Sequence, residues 1–109
     1  MPTPPEVKEG WSNAQQSVDS GDFEAALSTL RDVWSQNPKG ADVHQTWTIA
    51  ADAQGVKATS TGRPGEYRKS IRHYEKALDK GAGKDVRRRM NRLRAEMDER
   101  GIGMGGFRL

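Results

Sequence analysis

The chain has no cysteine, which excludes disulfides and thiolate-held metals. It has only two histidines, His44 and His73, and neither belongs to an H-E-x-x-H pair. His44 is expected on a helix surface and His73 on the exposed side of its helix. The glycine-containing stretch Lys57-Ala58-Thr59-Ser60-Thr61-Gly62 lacks the G-x4-G-K-[ST] order of a phosphate loop. No catalytic residue, metal ligand or cofactor is therefore assigned, and a non-enzyme is expected. No run of about 18 apolar residues exists, so no membrane-spanning helix is expected. Met1-Pro2-Thr3-Pro4-Pro5-Glu6 lacks the basic region and apolar block of a signal peptide, and the expectation is a cytoplasmic protein. Apolar residues are scarce, at 33% of 109 with a mean hydropathy of −0.93. Those values suit a thin helical array with much surface better than a thick sandwich.

What the chain does contain is a repeat. Gly21-Asp22-Phe23-Glu24 returns 44 residues later as Gly65-Glu66-Tyr67-Arg68, with glycine, acid and aromatic in phase. Further along, Ala26 returns as Ser70, Leu27 as Ile71, Leu30 as Tyr74, Val33 as Ala77 and Trp34 as Leu78. A preceding helix repeats too. Val7, Trp11, Ala14 and Val18 are spaced 4, 3 and 4, and Val43, Trp47, Ala50 and Gln54 repeat that spacing 36 residues on. Such spacing puts one stripe on one helix face. The growth of the offset from 36 to 44 means that eight residues are inserted before Gly65. Residues 55–64 have loop chemistry and are expected to be an inserted loop, although their early part could instead extend the third helix by a turn.

Five amphipathic helices follow from these stripes. The first starts at Thr3-Pro4-Pro5, where proline is tolerated in the opening turn. The second runs from about Asp22 to Asn37, stopped by Pro38 and Gly40. The third begins near Asp42 as N-cap, and the fourth covers about Gly65 to Lys80. The fifth runs from about Asp85 to Arg100, with Val86, Met90, Leu93 and Met97 as its apolar line and Gly101 as its stop. Residues 1–4 are a short arm and residues 101–109 a glycine-rich tail expected to be mobile. No helix with a single apolar stripe can bury it alone, so the fold class is an all-α array of antiparallel helical hairpins.

The residues resemble the tetratricopeptide repeat, whose pattern is W-x2-L-G-x2-Y, then A-x3-F, then P. Trp11-x2-Ala14-Gln15-x2-Val18, Ala26-x3-Leu30 and Pro38 make one unit, at about 5–38. Trp47-x2-Ala50-Ala51-x2-Gln54, Ser70-x3-Tyr74 and Ala82 make a second, at about 41–82 with the insertion at 55–64. Met90-x2-Leu93-Arg94-x2-Met97 resembles the capping helix of such arrays, at about 85–100. The resemblance spans about residues 5–100 as one domain. It implies a groove lined by the first helix of each unit that holds an extended or helical segment of a partner protein. The implied groove residues are Glu9, Ser12, Gln16 and Asp19, then Gln45, Thr48 and Asp52, then Arg88 and Asn91. The acidic N-terminal part of that groove favours a basic or amphipathic partner helix. Two units are fewer than the three usually needed, so pairing with a partner or a second copy would add stability.

Charge offers a second reading. Residues 1–55 carry three bases and eight acids, and residues 56–109 carry fifteen and seven. The basic half suggests an anionic partner. Arg87, Arg88, Arg89, Arg92 and Arg94 on the fifth helix would supply phosphate contacts to RNA or a ribonucleoprotein. No aromatic stands among them for base stacking.

Overall fold

A computed structural model describes residues 2–104. All regular structure among them is helical: α1 (Pro5–Asp19), α2 (Phe23–Gln36), α3 (Pro38–Ala41), α4 (His44–Thr61), α5 (Pro64–Asp79) and α6 (Lys84–Glu99). Five of these match the five periodic stripes. The additional element is α3, a single turn formed by the residues expected to end α2. Pro38 supplies the fixed φ suited to a first helical position. Ala41 is buried with Val7 and Val33, so this turn closes the base of the first hairpin.

Local chemistry sets the other boundaries. Asp22 caps α2 by accepting from the Ala25 N–H at 3.1 Å. Gly21, Gly62, Gly81 and Gly101 have φ of 82°, 70°, 104° and 72°. Each follows a helix where a residue with a side chain would be strained.

Two expectations change here. Residues 55–64 are mostly not a loop, because α4 continues to Thr61 and only Gly62 and Arg63 separate it from α5. Small residues explain the extension. Ala58 is fully buried, and a Cβ at Gly55 would lie 3.3 Å from Ser70 Oγ, so α4 and α5 lie close together along the added turns. Packing of this kind outweighs the poor helix propensity of glycine. Asp42, expected as the cap of α4, lies outside the cap position, which Val43 occupies. Its carboxylate instead accepts from the Trp47 indole and from Lys80, each at 2.9 Å.

Packing pairs α1 with α2 and α4 with α5, and α6 lies on α5. The shared element is α4, with helices on both sides. Thr46, Ile49 and Ala53 lie against the first hairpin, while Ala51 and Ala58 belong to the core with α5 and α6. Thus α4 is buried on more than one face, and the line Val43-Trp47-Ala50-Gln54 captures only part of it. The repeat itself holds in burial. Ala26 and Ser70, Leu30 and Tyr74, and Val33 and Ala77 are all buried. Trp11, Trp34 and Trp47 are half-buried and pack against the core clusters.

The tail expectation also changes in part. Ile102 packs on the α5–α6 core, and its N–H bonds Met97 O at 2.8 Å. Arg68 Nε donates to Gly103 O at 2.8 Å. The chain is thus tied down through Gly103, and residues 105–109 lie outside the described part.

Candidate functional site: a trough along α1, α4 and α6

One side of the array carries two open recesses. The first, of about 500 Å³, lies among Asp19, Asp52, Thr59, Tyr74, Arg92 and Glu96. The second, of about 540 Å³, lies among Ser12, Gln45, Thr48, Gly83 and Asp85. Both are lined by Gln15 and Arg89, so the two recesses adjoin at these side chains, and together they make a trough along α1, α4 and α6 that is narrowed there.

A polar network holds its floor. Asp52 accepts from the Tyr74 hydroxyl on Oδ1 and from Arg89 Nη1 on Oδ2, each at 2.6 Å. Arg89 Nη2 reaches Asp85 at 2.7 Å. Burial pushes the Asp52 carboxyl above its ordinary range, although the Tyr74 hydroxyl and Arg89 both favour the charged form. Burial, followed by the charge of Asp52, pushes the Tyr74 phenol far up. Three helices are joined through this one carboxylate. Nearby, Glu96 accepts from the Tyr67 hydroxyl and pairs with Arg100 at 3.4 Å.

The positions taken from the resemblance divide into two sets. Ser12, Asp19, Gln45, Thr48 and Asp52 line the trough. Glu9, Gln16, Arg88 and Asn91 are exposed outside it. Helix phase explains the difference. Gln16 stands two residues from both Ala14 and Val18, opposite the apolar stripe, whereas Gln15 stands on its flank. On α6, Arg89, Arg92 and Glu96 lie to one side of the line Val86-Met90-Leu93-Met97, while Arg88 falls on the back and Asn91 on the other side. Gln15, Thr59, Tyr74 and Arg89 are therefore trough residues that the resemblance did not supply. The signal for Gln15 and Arg89 was present as a flank position at helical spacing. For Thr59 and Tyr74 it depended on how far α4 runs.

The five arginines of the nucleic-acid reading also separate. Arg89 is committed to Asp52 and Asp85, and Arg94 pairs with Glu75 at 3.2 Å. Arg87, Arg88 and Arg92 are exposed and make no ion pair among the described residues.

His73 is half-buried rather than exposed, with its ring 5.7 Å from that of Trp47. His44 is half-buried at the start of α4 and lines the second recess. Among the described residues, no cluster of His, Asp and Glu is arranged to hold a metal ion. No helix among them is long and apolar enough to cross a membrane. No protein-family model, curated protein or solved structure matches the chain.

Proposed function

We propose that the chain is a non-catalytic, cytoplasmic protein-interaction module of tetratricopeptide type. It receives a peptide or amphipathic helix of a partner protein in the trough along α1, α4 and α6. The observation that carries this reading is that two recesses adjoin, at Gln15 and Arg89, across the two hairpins and the last helix. A surface of that kind suits an elongated segment better than a compact metabolite. Asp19, Asp52, Asp85 and Glu96 line it against Arg89 and Arg92, which leaves the lining acidic. A segment with a basic stripe suits the trough best.

The test is a photo-crosslinker placed at Gln45, in the trough, with Ser28 on α2 as control. Trough binding predicts a discrete protein adduct from Gln45 and not from Ser28, unchanged by nuclease. An adduct with a second copy of the chain would make the partner a homo-oligomer.

The unpaired Arg87, Arg88 and Arg92 favour the alternative, contact with an RNA backbone. Changing all three to Ala would then abolish nuclease-sensitive, strongly salt-dependent binding. Loss of the Gln45 adduct after nuclease treatment would overturn the protein-segment reading.

A further inference from the structure

A separate recess opens between α2, α4 and α5, away from the trough. It has a volume of about 430 Å³, and Leu27, Leu30, Trp34, Trp47 and Ala50 form its apolar wall. The two indoles meet edge to face, with centroids 5.2 Å apart. Asp42 already accepts from the Trp47 N–H, so what Trp47 adds to the wall is ring surface. The lysines at the rim are also engaged. Lys57 lies 3.8 Å from Glu24 and from Glu66, and Lys69 lies 3.7 Å from Glu66. The recess therefore has apolar surface left to offer, and covering that surface favours an apolar occupant.

A candidate occupant is carried by the same chain. Arg68 Nε holds Gly103 O at 2.8 Å, and Met104 is exposed just beyond. The sequence then reads Gly105-Gly106-Phe107-Arg108-Leu109. Arg68 is the neighbour of Lys69 on α5, and Lys69 lines the recess whereas Arg68 does not. Successive residues of a helix are about 100° apart, so the chain leaves the body of the protein about 100° round α5 from the recess. Gly65 lies between these two positions on the helix surface, three residues before Arg68 and four before Lys69. It is exposed, and a Cβ added there would meet nothing within 4 Å. A chain crossing the first turn of α5 at Gly65 meets no side chain from that residue.

The lengths agree. A helix with its side chains is about 10–12 Å across, so 100° of its surface is about 10 Å. An extended chain spans about 3.3–3.6 Å per residue, which takes Phe107 about 14 Å from Gly103 and Leu109 about 20 Å. Gly105 and Gly106 allow the sharp change of direction that such a path needs. In an extended segment Phe107 and Leu109 share one side and Arg108 takes the other. The charge of Arg108 also has a counterpart. Glu24 lines the recess, is exposed, and has Lys57 at 3.8 Å as its ion-pair contact.

We propose that residues 105–109 fold back over Gly65 and seat Phe107 and Leu109 in this recess, against Trp34 and Trp47, with Arg108 beside Glu24. The occupant is thus a segment of this chain. It ties α2 of the first hairpin to the end of α6, two elements that sit at opposite ends of the array. The inference concerns a different surface from the trough and does not depend on what the trough holds.

The test uses the full chain with a benzophenone photo-crosslinker in place of Phe107, followed by peptide mapping. Adducts within the same chain are expected on residues 27–34 and 47–50. In NMR, F107S/L109S should move the indole N–H resonances of Trp34 and Trp47 and leave that of Trp11 in place. Neither substituted residue belongs to the helical core, so the variant keeps the fold. The Leu109 amide of the parent should exchange at least about fivefold more slowly than in an unstructured peptide, and F107S should remove that protection. All three readouts should be independent of protein concentration. Adducts along the α1–α4–α6 trough would overturn the proposal, as would an adduct with a second copy or no adduct at all. Indole resonances unchanged in F107S/L109S would overturn it too.

Discussion

Tyr74 of α5 donates its hydroxyl to Asp52 of α4 at 2.6 Å, on the oxygen that Arg89 of α6 leaves free. The second hairpin and the last helix are thus joined at one half-buried carboxylate. Tyr74→Phe should destabilise the fold by about 1 kcal/mol, the net value of one such bond. Asp52→Ala should cost more, about 2 kcal/mol, because it leaves both a phenol and a guanidinium without their acceptor. Urea unfolding of the two variants checks the order. A double-mutant cycle between Tyr74→Phe and Arg89→Met should give a coupling of at least about 0.5 kcal/mol. Strict additivity would mean that the two bonds act independently.

Gly10 is buried where α1 crosses α2, and a Cβ there would overlap the Val33 Cγ2 methyl. Alanine is the better helix former by about 1 kcal/mol. Gly10→Ala should nevertheless destabilise, by about 1–3 kcal/mol, since Val33 is itself buried and β-branched and has little room to turn. Adding Val33→Ala should recover part of the loss, even though that change alone leaves a cavity. Thermal unfolding of the two singles and the double decides this. A Gly10→Ala protein more stable than the parent would show that the two helices separate without cost.

Much of this architecture was readable from periodicity. The phase match of Phe23 to Trp34 with Tyr67 to Leu78 corresponds to equal burial at Ala26 and Ser70, Leu30 and Tyr74, and Val33 and Ala77, because a period of 3.6 reports which face is covered, whereas Phe23 and Leu27 are less covered than Tyr67 and Ile71. Periodicity fails where a helix is covered on several faces. That is why Ile49 and Ala53 of α4 were not picked out while Val43 and Ala50 were. It also fails where composition and packing disagree: Gly55 to Thr61 reads as loop, yet it is helical because small residues allow α5 to approach. The trough residues on the stripe flanks were partly legible, since Ser12, Asp19, Thr48 and Asp52 fell in place. The role of Asp52 was not, because its partners Tyr74 and Arg89 come from two other helices. Gly10 gave no signal, since a lone glycine in a helix has no pattern to match.

The last turn of α6 and the residues after it form a further test. Gly101 has a φ of 72°, the Ile102 N–H bonds Met97 O, and Arg68 holds Gly103 O. Gly101→Ala should destabilise by about 1 kcal/mol through the left-handed backbone it must adopt. In hydrogen exchange, the Ile102 amide should be protected in the parent and less so in Gly101→Ala. Exchange at the rate of an unstructured peptide in the parent would mean that the chain is not held beyond Arg100.

The pH dependence of stability should carry a mark of His73. Its imidazole faces Trp47 of α4 and lies in a recess with Lys57 of α4 and Arg31 and Glu24 of α2, beside Lys69 of its own helix. Burial and Lys69 lower its proton affinity in the folded chain from an ordinary 6.5. Above pH 6.5 the ring is neutral in both states, so it contributes no slope. As pH falls below 6.5, the unfolded chain takes up a proton that the folded chain refuses. The unfolded state then binds more protons, and stability falls with falling pH until the lowered folded value is reached, where the loss levels off. Carboxylates with a depressed folded value, such as Asp42, add their own loss only at more acidic pH, below 3.8. The His73 loss therefore begins at higher pH than that of Asp42. His73→Phe should leave stability at pH 8 within about 1 kcal/mol, since a ring of similar size remains. The same substitution should flatten the dependence between pH 6.5 and 5. Urea titrations at pH 8, 6.5 and 5 on the parent and the variant measure both. Because the raised carboxyl of Asp52 works in the opposite direction, the difference between parent and variant is the reading, and a variant that loses more stability than the parent across that interval would reverse the sign and place a stabilised imidazolium in the recess.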